Sequence, residues 1–137
     1  MRIGADYYPE HWEKERWKTD AEMMVKANIK VIRIGEFAWS LYEPEEGKYE
    51  FDWMDEALDF FGKYGIKVVM CTPSATPPKW MIDKYPDILQ NDIHGNPKLF
   101  GTRKHYCFNS ETYREKTKKL NTLIAKRYAK HPAIEAW

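Results

Sequence analysis

The chain has 137 residues, enough for one small domain. Its 22 basic residues balance 21 acidic ones, so nothing favours a polyanionic partner such as nucleic acid. No apolar run approaches the roughly 20 residues of a membrane-spanning helix, and the strand-like start Ile3-Gly4-Ala5-Asp6 lacks a signal-peptide apolar region.

A hydrophobic fraction of 43% permits a real core, and aromatics reach 15%, many of them in apparent loops. Two cysteines, Cys71 and Cys107, make no disulfide framework, so a reducing cytoplasm is the expected location unless a leader has been removed.

Residues Ile3 to Tyr8 read as a first strand, stopped by Pro9. A helix follows from about Glu13 to Ala27, with Trp17, Ala21, Met24 and Val25 on one face and Asn28 as its breaker. The second strand is Lys30 to Gly35. After a Glu-rich loop, Asp52 reads as the N-cap of a second helix. Its apolar stripe is Met54, Ala57, Leu58 and Phe61, and Gly62 and Gly65 mark its end. The third strand, Ile66 to Thr72, is almost continuously apolar, which predicts burial on both faces.

From Thr72 to Ser110 the rhythm breaks into a long loop with five prolines and many aromatics, in which Pro78 opens a short helix through Asp83. A connection of this length is usually functional or disordered, and the aromatics argue against disorder. A helix capped by Asn109 or Ser110 then runs to about Lys130, and Ala133 to Trp137 begins a fourth strand. Strands alternating with helices predict an α/β fold with a parallel sheet. The simplest reading is the N-terminal half of a (β/α)8 TIM barrel, truncated after the start of the fourth strand. Residues 1–137 would then be one incomplete catalytic barrel domain.

Ligands of a parallel sheet sit beyond the C-terminal ends of its strands. Glu36 lies at such a tip, where its carboxylate either binds a substrate hydroxyl or is satisfied by Arg33 or backbone. Glu10-His11 follows the first strand and reads as an acid/base pair or, with more weight, as structure. Arg103, in Phe-Gly-Thr-Arg-Lys-His-Tyr, offers a fixed fork of donors that suits sugar hydroxyls, against the plainer reading of a surface ion pair. His94, His105 and Cys107 do not have a recognised zinc spacing. No nucleophile elbow, phosphate loop, zinc-protease motif or dinucleotide fingerprint is present. Glycoside hydrolysis by two carboxylates is the chemistry left for an aromatic, carboxylate-rich barrel face.

The stretches GADYYPEHW at 4–12, VIRIGEFAWSLYEPEEGKYEFDWMD at 31–55, TPSATPPKWM at 72–81, FGTRKHYCFNS at 100–110 and YAKHPAIEAW at 128–137 carry a resemblance. The chain resembles the family 42 glycoside hydrolases, the barrel beta-galactosidases. The resemblance implies retaining hydrolysis of terminal β-linked galactose, with a β-galactoside as the partner, no cofactor in catalysis and, in the full-length family, frequent homo-oligomers. It implies that Arg103 lies in the galactose subsite and that Cys107 is one ligand of a structural zinc found in many members. It further implies that Glu36, Phe37 and Trp39 wall the barrel mouth. The family's acid/base and nucleophile glutamates have no match here, so no residue is assigned a catalytic role and the chain alone is expected to be inactive. A non-catalytic sugar-binding remnant and a related glycosidase acting on another sugar are the alternatives.

Overall fold

The computed structural model describes residues 3–101 and 104–137. Four strands, β1 (Ile3–Asp6), β2 (Ile29–Ile34), β3 (Lys67–Met70) and β4 (Ile134–Ala136), form one parallel sheet in the order β1-β2-β3-β4. Parallel neighbours cannot be joined by hairpins and need crossover connections. Here the connections carry α1 (Lys14–Lys26), then α2 (Trp39–Tyr42) and α3 (Asp52–Lys63), then α4 (Lys79–Lys84) and α5 (Glu111–Tyr128). This is the α/β architecture expected of the first half of a barrel.

The chain divides into two compact units. The first is Met1–Gly35, Phe51–Cys71 and Tyr128–Trp137, and it holds the entire sheet. Its core is set by periodicity. On α3 the stripe Met54, Ala57, Leu58 and Phe61 is fully buried, and Ile32, Ile34, Val68 and Met70 are buried on alternate strand positions. The rings of Tyr7 and Phe61 meet edge to face at 5.2 Å, and the Trp17 indole N–H donates to the Pro9 carbonyl at 3.0 Å.

Several local expectations need adjusting. β1 ends at Asp6, because Tyr7 and Tyr8 lead into a turn over Pro9–His11. Val25 is exposed; Asp20 is buried on α1 instead, accepting from Tyr7 Oη at 2.9 Å and Arg16 Nε at 3.1 Å. Asp52 is the first residue of α3, Phe51 holds the cap position, and no side chain caps that end. Asn28 does end α1, at a φ of 58° that asparagine tolerates better than most residues. Gly62 lies inside α3, where an added Cβ would stand 3.3 Å from the Ala133 Cβ. β3 is not buried on both faces: Val68 and Met70 are covered, but Val69 is half-buried, since successive side chains face opposite ways.

The second unit is Glu36–Glu50 and Thr72–Arg127. Its core comprises Trp39, Tyr42, Met81, Ile88, Leu120 and Ile124, all buried. Ser110 caps α5 by accepting the Tyr113 amide at 3.2 Å. The long connection is ordered by α4, by turns at Pro73–Ala75 and Pro86–Ile88, and by antiparallel bridges Leu89–Tyr106 and Asn91–Pro97. At the tip of that ribbon Asp92 Oδ1 accepts from the His94 and Asn96 amides, at 2.8 and 2.9 Å.

Candidate functional site

Two groups of polar residues merit attention, one in each unit. In the first, Asp6 and Arg33 occupy paired positions on β1 and β2, so the register itself sets them side by side. Arg33 Nε donates to Asp6 Oδ1 at 2.8 Å, and Nη1 reaches Cys71 Sγ at 3.3 Å just past β3. The guanidinium beside Asp6 holds its carboxyl below the usual range. Three consecutive strand ends thus supply a carboxylate, a guanidinium and a thiol where a parallel sheet carries its chemistry. Parallel register was the signal that could have revealed this trio, but it follows only once the pairing is known.

Glu10 stands in the turn after β1. Both carboxyl oxygens are shut from solvent and have no hydrogen-bond partner among the described residues. Burial pushes its pKa up, opposed by its own backbone amide and by His11. The His11 ring stacks on Tyr8 at 5.2 Å. His11 is exposed whereas the Glu10 carboxyl is enclosed, so the two do not form an acid/base pair open to substrate.

In the second unit, Glu36 is half-buried in the turn that precedes α2. Trp39 is fully buried and donates its indole N–H to Glu43 Oε2 at 3.0 Å. It is therefore part of the packing and not an exposed wall for a sugar, which corrects the expectation for that residue. Glu43 is almost wholly buried and also accepts the Gly47 amide at 2.9 Å, while its carbonyl accepts the Trp80 indole at 2.8 Å. The i, i+4 spacing of Trp39 and Glu43 was the available sequence signal. Burial, together with Glu43, raises the Tyr49 phenol to about 12.

Glu46 collects three donors: the ammonium groups of Lys84 and Lys116 and the Tyr85 hydroxyl at 2.9 Å. Those contacts, Lys116 foremost, lower its pKa to about 2. The cluster ties the 43–48 turn to α4 and α5.

A cleft of about 290 Å³ opens between the α2 turn and the long connection, lined by Phe37, Ser40, Thr76, Pro78, Phe100 and His105, among others. Phe100 is half exposed and meets His105 edge to face at 5.7 Å. Thr76 Oγ1 is buried without a hydrogen-bond partner among the described residues. Aromatic faces with a few polar groups make this cleft suited to a small polyhydroxylated ligand. Arg103 lies outside the described residues. Cys107 is half-buried with a free thiol, and its amide donates to the Ile88 carbonyl at 2.7 Å. Among the described residues no three His, Cys, Asp or Glu side chains gather as a metal site.

Comparison with known proteins places these features. The profile of a glycoside hydrolase family described as beta-galactosidase matches residues 6–137. A beta-galactosidase of Thermus thermophilus is 52% identical over 132 residues, covering 96% of this chain and 20% of its own length. One from Haloferax lucentense is 47% identical over all 137 residues, 21% of its own length. Among solved structures, the beta-galactosidase of the psychrophilic Marinomonas ef1 superposes with a TM-score of 0.96 at 46% identity, covering 100% of this chain and 21% of that one. That of the haloarchaeon Halorubrum lacusprofundi also gives 0.96, at 44% identity and with 100% and 20% coverage. The chain thus spans about a fifth of the length of these relatives.

Proposed function

The chain belongs to the family 42 glycoside hydrolases, and from that premise we propose that it is the first part of the catalytic barrel of a retaining beta-galactosidase. The substrate is a β-galactoside with terminal, non-reducing galactose. The observation that carries the reading is the match over residues 6–137, supported by a TM-score of 0.96 to beta-galactosidase structures.

In this reading Arg103 and Glu36 bind galactose hydroxyls. Arginine contributes permanent donors in a rigid fork, and a carboxylate contributes acceptors. The Asp6–Arg33 pair fixes charge at the strand ends, and Phe37 and Phe100 supply apolar surface. Retaining hydrolysis needs one carboxyl as acid/base and a second as nucleophile, about 5–5.5 Å apart. Neither Glu36 nor Glu135 matches the family pattern for either role, so both catalytic groups are assigned outside these residues and the chain alone is inactive. Cys107 would supply one thiolate of a structural zinc whose other ligands also lie outside; catalysis uses no cofactor. Two free thiols support a reducing, cytoplasmic setting. Among the described residues no helix is long and apolar enough to cross a membrane.

The test is turnover of a chromogenic β-galactoside by the purified chain. None above background is expected. Turnover that disappears in Glu36→Gln would overturn the assignment of roles.

A further inference from the structure

We propose that Glu43 is a positioning residue of the sugar cleft, setting the spacing of two of the segments that line it. Its carboxylate holds the α2 turn, which presents Phe37 and Ser40, and its carbonyl holds α4, whose start presents Pro78 and Lys79. The inference rests on the proposed reading of that cleft as a galactoside-binding surface, and deepens it.

A helix of four residues cannot hold itself, because nucleation fixes several residues for a single hydrogen bond. α2 is such a helix, and Glu43 closes it. The Glu43 amide donates to the Trp39 carbonyl at 2.8 Å, and its side chain turns back to accept the Trp39 indole N–H at 3.0 Å. The other carboxylate oxygen accepts the Gly47 amide at 2.9 Å, and the Tyr49 phenol hydrogen-bonds the same group. These bonds fix the Glu43 backbone, and with it the direction of the carbonyl that accepts the Trp80 indole at 2.8 Å. One residue thus uses its amide, carboxylate and carbonyl to join α2 to α4.

Glu46 repeats the tie three residues further on. It holds Lys84 at the end of α4, while Glu43 holds Trp80 near its start, and Lys116 anchors it to α5. Two attachment points fix both the position and the direction of α4. Every one of these bonds is made between residues from Trp39 to Lys116. Trp39 and Glu43 are buried, and neither lines the cleft. Glu43 therefore acts on a bound sugar only through the segments it holds.

The position calls for a carboxylate. Two N–H groups and a phenol meet its oxygens, which suits a group that only accepts. Glutamine keeps the shape but offers one oxygen, so its NH2 group meets a donor on the other side. Trp80→Phe removes the other arm of the tie and leaves the carboxylate untouched.

The test is steady-state kinetics of this chain grafted into the Thermus thermophilus beta-galactosidase, which is 52% identical to it. Glu43→Gln and Trp80→Phe are each expected to raise KM for nitrophenyl β-galactoside about tenfold, the effect of one lost hydrogen bond, and to leave kcat in place. A residue that served stability alone would lower the amount of active enzyme, and so kcat per protein, without moving KM. An unchanged KM in either folded variant, or a fall in kcat alone, would overturn the proposal. Should Glu43→Gln not fold, Trp80→Phe decides by itself, because an unchanged KM there contradicts the tie to α4. The unaltered graft keeps the two levels apart: a folded graft that prefers another sugar overturns the reading of the cleft, and the inference with it, before any substitution is made.

Discussion

Replacing Glu10 by Gln is expected to stabilise the protein, and to do so only where Glu10 would be charged. The carboxyl lies in the turn after β1 with both oxygens shut from solvent and no hydrogen-bond partner among the described residues. Burial raises its pKa above the ordinary carboxylate value of 4.5, while its own amide and His11 oppose the shift weakly. A carboxyl whose folded pKa is raised contributes most to stability below its unfolded pKa. That contribution is lost as pH climbs through the folded pKa, because the folded state then holds a costly charge. Leaving a buried polar group unsatisfied costs about 1–3 kcal/mol. Glutamine keeps the shape and an unsatisfied amide, so it relieves only the charge, and the lower end, about 1 kcal/mol, is the reasonable gain. For a chain of this length that corresponds to roughly 3–5 °C in Tm. Thermal melts of both proteins by circular dichroism, from about pH 4 to about pH 8, make the comparison across the carboxylate range. Glu10→Gln should melt higher at neutral pH and converge with the parent at the acid end. Identical melts throughout, or a parent whose advantage grows with pH, would refute the reasoning.

Tyr7→Phe removes the hydroxyl that donates to buried Asp20 and leaves that carboxylate with Arg16 alone. A loss of about 1–3 kcal/mol is expected, read from urea unfolding; an unchanged midpoint would contradict the pairing. Glu46→Gln should alter the acid limb of stability. With its pKa held near 2 by Lys116 and Lys84, Glu46 stabilises the fold above its ordinary 4.5, and that contribution fades as pH falls toward 2. Acid unfolding followed by intrinsic fluorescence should start earlier in the parent's pH range for the variant, and superimposable acid limbs would count against the cluster.

Much of the fold was legible because periodicity and burial agree. Met54, Ala57, Leu58 and Phe61 declare one face of α3, and the apolar strands between helices declare a parallel sheet. The site was less legible for a physical reason: its contacts join residues distant in sequence. Nothing local to Arg33 says that Asp6 lies across the register or that Cys71 caps the trio. The three-donor grip on Glu46 draws on residues up to 70 positions away. The short helix Trp39–Tyr42 was missed because its four residues are too few to show a period. Trp39 was misplaced as a sugar wall because sequence gives the residue type and not its burial, and an indole hydrogen-bonded to Glu43 packs well inside. Glu36 is proposed from its position past a strand end and Cys107 from family resemblance alone.

The central claim is that these residues shape the galactose subsite of a beta-galactosidase while the catalytic carboxylates come from elsewhere. Grafting the chain in place of the matching stretch of the Thermus thermophilus beta-galactosidase, which is 52% identical to it, tests that claim most directly. The measurement is kcat/KM of the folded chimera on nitrophenyl β-galactoside and β-glucoside, with and without Arg103→Ala. The account predicts a clear preference for galactoside. It also predicts a drop of about 10- to 150-fold on Arg103→Ala, from the roughly 1.5–3 kcal/mol of charged hydrogen bonds. A folded chimera that prefers another sugar, or one indifferent to Arg103→Ala, would contradict it.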